Sequence, residues 1–100
     1  MDTTAVVDSG WAYVRNLFPA DLETTATEKL ALQRRRGIAS AEDLLRMCLA
    51  YGLCDMSLRE TAAWAEVMGV GRLSNVAVLK RLQNSADWLG HLVLTCIIQR

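Results

Sequence analysis

One segment of the sequence, residues 57–82, constrains the fold more than any other. It contains two short amphipathic stretches joined by a glycine-bearing turn, and the first stretch opens with the pattern Ser-Leu-Arg-Glu. Such an S-x-x-E pattern is a capping box, in which a serine and a glutamate satisfy free amide groups at the start of a helix. The segment therefore predicts a helix-turn-helix, a unit whose second helix often lies in the major groove of DNA.

The second helix of this unit is expected to begin after Ser74, its N-cap. Val76, Leu79 and Leu82, at a spacing of three, are expected to pack inward together with Val78. The residues left for the outer face are Asn75, Ala77, Lys80, Arg81, Gln83 and Asn84. Side chains of these types read base edges and contact phosphates, but they also cover ordinary solvated helix faces, so both interpretations stay open.

The first helix of the unit is expected to end in a tight turn. Ala65 allows the second helix to approach closely, Val67 is expected to face inward, and Gly69 can take the positive φ of a helix C-cap. The linker 70–73, which contains Arg72, is longer than the tightest turns of this motif. Docking on DNA is therefore expected to depart from the ideal geometry.

Two helices are expected before this unit in the N-terminal third of the chain. The first would be capped by Asp8 or Ser9 and would end at Phe18. The second would open at Pro19 and stop at Gly37. The apolar stripe of the second helix would consist of Leu22, Ala26 and Leu30.

Three consecutive cations, Arg34, Arg35 and Arg36, are expected in the last turn of that second helix. Cations there interact favourably with the helix dipole, so the run is explained by a solvated C-terminal cap. Contact with DNA phosphates explains it as well.

A third helix is expected to begin at Ser40, with Asp43 in the capping-box position, and to end at Gly52. Its predicted apolar face consists of Leu44, Leu45, Cys48, Leu49 and Tyr51.

The last helix, opening at residues 84–87, is apolar on most sides. Its core-facing stripe is expected to consist of Trp88, Leu92, Val93, Cys96 and Ile97. Leu89, Leu94 and Ile98 then need a second surface. This pattern predicts docking on another domain or on a second copy of the chain.

Composition limits the classes of function. A chain of 100 residues with 52% hydrophobic and 22% charged residues is expected to form one globular domain. The net charge of zero argues against tight DNA binding by the chain alone, although a local basic face remains compatible with it.

No catalytic, cofactor or metal site is expected from the sequence. The phosphate-binding, dinucleotide, nucleophile-elbow and zinc-protease patterns are absent. Three widely spaced cysteines and a single histidine, His91, do not supply four zinc ligands, so buried free thiols and a half-buried histidine are expected. Trp11, Trp64 and Trp88 are expected in the core or at its edge. Neither a signal peptide nor a membrane span is predicted, which indicates a cytoplasmic protein.

Residues 30–92 resemble the N-terminal region of DDE-type transposases of bacterial insertion sequences, in the family numbered four. The stretches that carry the resemblance are RRRGIASAEDLLRMCLAYGL, SLRETAAWA and SNVAVLKRL. The resemblance implies a small helical domain that precedes an RNase H-like catalytic domain, where an Asp-Asp-Glu triad would bind two divalent metals. It also implies contacts to transposon-end DNA, whereas no triad residue can be assigned on this chain.

The sequence therefore predicts an all-α fold, a compact bundle of about six helices with an embedded helix-turn-helix. Residues 1–100 would form a single N-terminal domain without the catalytic domain, associated with the nucleoid and recognising the inverted repeats of double-stranded transposon DNA. The alternatives are a module that docks on a transposase catalytic domain or self-associates through the last helix, and a small transcriptional regulator. The predicted DNA-binding residues are Arg34, Arg35, Arg36, Arg72, Asn75, Lys80, Arg81 and Asn84.

Overall fold

The structure, a computed structural model, describes residues 10–32, 37–38 and 40–98, without the side chain of Ile97. Within these residues there are six helices and no strand. The helices are α1 (Trp11–Asn16), α2 (Leu22–Glu28), α3 (Ala41–Leu53), α4 (Leu58–Val67), α5 (Asn75–Asn84) and α6 (Ala86–Ile98). The predicted all-α fold is confirmed.

Three helices begin where serines were predicted to cap them. The Oγ atom of Ser40 accepts a hydrogen bond from the Asp43 amide at 3.1 Å. Ser74 accepts one from the Ala77 amide, also at 3.1 Å. Ser57 does the same at the start of α4. Each serine satisfies an amide group that has no partner inside its helix, and this fixes the first residue of α3, α4 and α5.

The core lies around α3. Its buried residues are Ala41, Leu44, Leu45, Met47, Cys48 and Ala50. Trp88 and Leu92 of α6 are wholly buried, and the indole Nε1 of Trp88 donates a buried hydrogen bond to Thr25 Oγ1 of α2 at 3.0 Å. This bond gives the indole N–H a partner inside the core and joins the second helix to the last.

The short helix α1 is held to α3 and α4 by aromatic and charged contacts. The guanidinium of Arg46 lies 5.9 Å from the ring centre of Trp11 and 5.7 Å from that of Trp64. Trp11 Nε1 donates to Glu42 Oε1 at 3.0 Å, and Arg15 Nε lies 3.7 Å from the same oxygen. Trp64 therefore lies in the core and Trp11 at its edge, the two placements that the sequence predicts for the tryptophans.

The end of α2 differs from its prediction. The helix stops at Glu28, and Leu30 takes a left-handed conformation with φ 60°. The amide of Ala31 then donates back to Ala26 O at 2.9 Å, the bond that closes a Schellman turn. This turn buries Ala31 and Leu32 and leaves Leu30 exposed. The prediction that Leu30 belongs to the stripe of α2, and that α2 continues to Gly37, is wrong.

Two other predicted helix ends are also shifted. Gly52 lies inside the last turn of α3, which ends at Leu53, and Asp55 rather than glycine takes the positive φ. Tyr51, expected on the apolar face, is exposed. The helix α1 ends at Asn16, before Phe18. The predicted caps of α1, Asp8 and Ser9, lie outside the described residues.

No helix in the described ranges is both long and apolar enough to cross a bilayer.

Candidate nucleic-acid interface

The start of α4 has the capping box that its sequence predicts. Ser57 Oγ accepts from the Glu60 amide at 3.1 Å, and Glu60 Oε1 accepts from the Ser57 amide at 3.0 Å. The hydrogen bonds from the backbone and side chain of Ser57 lower the pKa of the Glu60 carboxyl. The carboxylate therefore supports the helix fully above pH 4.5, and this support is lost as the pH falls through the lowered pKa.

The end of α4 turns the chain toward α5 as predicted. Gly69 has φ 73°, and the amide of Val70 donates to Ala65 O at 2.8 Å. This closes a second Schellman turn, with Ala65 and Val70 buried. Val67, expected to face inward, is exposed on the opposite side of the helix end, so that prediction is wrong.

The loop between α4 and α5 lies directly against the segment that follows the arginine run. A Cβ atom on Gly71 would overlap the carbonyl oxygen of Gly37, and one on Gly37 would meet Arg72 O at 3.1 Å. Gly37 has φ 80°, a conformation that favours glycine. The two backbones are therefore in contact next to Arg72. The predicted site residues Arg34, Arg35 and Arg36 precede Gly37 in the sequence and lie outside the described residues.

The inward face of α5 differs from its prediction. Val78 and the cap residue Ser85 are wholly buried, and Leu82 is half-buried between them. Val76 is 63% exposed and Leu79 is 39% exposed. Positions 78, 82 and 85 follow the helical spacing of four and three, so α5 packs on this stripe rather than on 76, 79 and 82. The prediction that Val76 and Leu79 pack inward is wrong.

The hydroxyl group of Ser85, buried at the end of α5, has hydrogen-bond partners. Ser85 Oγ donates to Arg81 O at 2.6 Å, and Ser85 also shares a hydrogen bond with the buried thiol of Cys48 on α3. Burial raises the pKa of the Cys48 thiol to about 12, whereas the hydrogen bond with Ser85 opposes the rise. Cys48 is the buried free thiol that the sequence predicts, while Cys54 and Cys96 are only half-buried.

Four predicted site residues belong to α5. Asn75, Lys80 and Asn84 are exposed, and Lys80 and Asn84 lie one turn apart. The side chain of Lys80 makes no hydrogen bond or ion pair with another residue of the described ranges. Arg81, expected outside, is half-buried, and burial lowers the pKa of its guanidinium. The structure therefore places Arg81 beside the core and the other three on the surface.

The remaining predicted residue, Arg72, lies in the loop before α5. Its Nε atom is 3.0 Å from Glu66 Oε1, and the Arg72 side chain is 87% exposed. Exposed ion pairs contribute about 0–1 kcal/mol, because water solvates both partners. Glu66 therefore holds Arg72 weakly, and the guanidinium can exchange this carboxylate for another anion.

We use the name outer face of α5 for five of its six exposed residues, Val76, Leu79, Lys80, Gln83 and Asn84; the sixth, Asn75, begins the helix. The sequence of α5, NVAVLKRLQN, contains no acidic residue. The outer face thus presents two apolar side chains, two amide side chains and one cation. The prediction missed Val76 and Leu79 on it. The sequence contains no signal for this exposure, because Val76 and Leu79 are as apolar as the inward-facing Val78 and Leu82.

A second exposed surface lies on α6. Leu94 is 60% exposed and Ile98 is 78% exposed, and Val93 is exposed beside them. Three residues were predicted to need a surface beyond the bundle, and the exposure of Leu94 and Ile98 agrees with this. Leu89 is instead half-buried against the core, so its part of the prediction is wrong. Val93, expected in the core-facing stripe, does not reach the core.

In the part of the chain that the structure describes, no group of three or more His, Cys, Asp or Glu residues could hold a metal ion. His91 is half-buried, as the sequence predicts.

The chain is similar to transposases of insertion sequences. It is 51% identical, over 82 residues, to a protein named transposase InsL for the insertion sequence element IS186A of Escherichia coli K12. It is also 51% identical, over 83 residues, to the transposase for insertion sequence element IS421 of Escherichia coli.

Both similarities cover 82% of this chain, and the chain spans 22% of the length of each relative. No family model and no solved structure matches the chain. The resemblance to insertion-sequence transposases that the sequence predicts is therefore confirmed over the matched residues.

Proposed function

We propose that the chain binds double-stranded DNA at the inverted repeats of an insertion sequence, as the recognition domain of a transposase. The observation that carries this proposal is the outer face of α5, which presents unpaired Lys80 and exposed Asn84 on a helix without acidic residues. The relatives are named as transposases of insertion sequence elements, and the resemblance in the sequence implies contacts to transposon-end DNA. The proposal also assigns nucleoid association to the chain.

In this proposal the loop and the helix have different roles. Arg72, Lys80 and the run Arg34, Arg35 and Arg36 contact phosphates, which set the position of the domain on the duplex. Asn75 lies at the N-terminus of α5, where amides and the helix dipole favour an anion, and it contacts the backbone there. Asn84 and Gln83 reach base edges, since amide side chains pair with adenine in the major groove. Arg81 supports the helix from its inner side.

We assign strand cutting and joining to a part of the transposase outside this chain. The chain spans 22% of the relatives' length, and its sequence offers no residue that matches the Asp-Asp-Glu triad of the family it resembles. The chain then acts as a single non-catalytic domain, without a cofactor of its own.

The exposed surface of α6 favours a second function beside DNA binding. Leu94 and Ile98 present apolar side chains that the described residues do not cover. Apolar surface of this kind marks contacts with another protein surface. We propose docking on the catalytic domain of the transposase, or self-association, through these residues.

Fluorescence anisotropy tests the DNA-binding proposal. The probes are a labelled duplex of the inverted repeat from the insertion sequence that encodes the chain, and a duplex of the same composition in scrambled order. The inverted repeat should bind more tightly. Lys80→Ala should weaken binding to both duplexes and make the slope of log K against log salt shallower by about 1.

Lys29→Ala is the matched control. Lys29 is the other lysine of the chain and is exposed at the end of α2. Its removal should leave the slope unchanged if α5 faces the duplex. Equal losses from the two variants would show that only overall charge matters, and equal binding of the two duplexes by the unmodified chain would contradict end recognition.

A further inference from the structure

We propose that Val76 and Leu79 read thymine methyl groups in the major groove, so that the recognised DNA carries thymines at the base pairs facing α5. This inference rests on the proposed DNA binding by α5 and adds its base preference. The two side chains are 63% and 39% exposed, although both are apolar and each lies within two residues of the buried Val78.

The positions of these side chains suit a groove-facing role. Residues 76, 79, 80 and 83 have the spacing i, i+3, i+4 and i+7, so Val76, Leu79, Lys80 and Gln83 share one face of the helix. A helix in the major groove brings such a face against base edges. Of the groups displayed there, the thymine C5-methyl is the apolar one, and it is the natural contact for a valine or leucine side chain.

Charge selects DNA over a protein as the occupant of this face. Lys80 stands beside Leu79, α5 has no acidic residue, and the exposed Arg72 precedes its first turn. An approaching protein would have to supply carboxylates to Lys80 while covering Val76. A DNA duplex supplies both a negative charge for Lys80 and an apolar group for Val76, because its phosphates border the groove in which the thymine methyl groups lie.

Thymine-to-uracil exchange tests the proposal, because uracil differs from thymine only by the missing methyl group. Two duplexes of the inverted repeat are compared, one with thymine and one with uracil throughout. The unmodified chain should bind the uracil duplex more weakly, by about fourfold for each methyl group contacted. Val76→Ala and Leu79→Ala should each reduce this preference, and the double variant should abolish it.

Val67→Ala is the matched control, because Val67 is an exposed valine at the end of α4, outside the outer face of α5, and its variant should keep the full preference. All variants replace exposed side chains, and their helical circular dichroism should match that of the unmodified chain. Equal binding of the two duplexes overturns the inference while leaving DNA binding intact. A preference that survives the double variant also overturns it. Failure to bind either duplex overturns the proposed function itself.

Discussion

Gly71 determines how closely the loop before α5 can approach the segment after the arginine run. The position of a Cβ atom on this residue is already occupied by the carbonyl oxygen of Gly37. Backbone atoms cannot move aside as a flexible side chain can, so any larger residue must separate the two segments. The position of the loop carrying Arg72 against residues 37–38 therefore requires a residue without a Cβ atom at position 71.

Gly71→Ala should lower the free energy of unfolding by about 2 kcal/mol or more, because it forces the two backbones apart. Gly52→Ala is the control: Gly52 lies in the last turn of α3, with no atom within 4 Å of its added Cβ. That change should raise stability by about 0.5–1 kcal/mol. Urea unfolding measures both, and equal stability of the two variants would contradict the close approach.

Ser57→Ala should lower the free energy of unfolding by about 1 kcal/mol, because the Glu60 amide loses its partner. Ser57→Thr keeps a hydroxyl at the cap and should recover most of this loss. Urea unfolding at pH 7 compares the three proteins. A loss below a few tenths of a kcal/mol for the alanine variant would show that water replaces the serine at no cost.

At the scale of helices, the starts could be predicted from the sequence and the exposed faces could not. Ser40, Ser57 and Ser74 cap their helices through hydrogen bonds that span three residues, so the local sequence contains the whole signal. The face that α5 buries contains Val78 and Ser85, which pack against other helices of the core. The apolar pattern alone allowed two stripes, and the choice between them depends on this tertiary packing.

The predictions for the candidate site were likewise right where local sequence determines a residue's position and wrong where tertiary packing does. Asn75, Lys80, Asn84 and Arg72 could be placed on the surface from their polarity alone, and the structure shows them exposed. Arg81 could not, because a long side chain can pack its stem against the core while keeping its head toward water. The end of α2 was also missed, since Leu30 adopts a conformation for which leucine gives no sequence signal.

We propose that Leu94 and Ile98 of α6 form a contact surface. The double substitution Leu94→Lys with Ile98→Lys should therefore change the free energy of unfolding by less than about 0.5 kcal/mol. The same change should convert any oligomer to monomer in sedimentation experiments. Leu92→Ala, at a wholly buried position of the same helix, should cost about 2–5 kcal/mol. Unfolding of the double lysine variant would show that these side chains are needed inside the bundle. A monomer at every concentration that does not capture the catalytic domain would exclude the contact.

Charge distribution, rather than total charge, decides what the whole molecule can bind. The chain has 11 basic and 11 acidic residues, so its average field attracts neither DNA nor a cationic surface. Glu42 pairs with Arg15 of α1, and Glu60 is engaged in its capping box. Glu66 pairs with Arg72 beside α5, in an exposed ion pair that DNA phosphates would replace. A few cations around α5 must then supply the whole electrostatic attraction for DNA.

The salt dependence of DNA binding tests this account most directly. Each neutralised phosphate contributes about −0.9 to the slope of log K against log salt concentration. With about five cations in the proposed interface, the slope for the inverted-repeat duplex should be clearly negative but shallower than about −5. Binding that is unchanged between low and high salt, or that is absent even at low salt, would contradict DNA recognition by this domain.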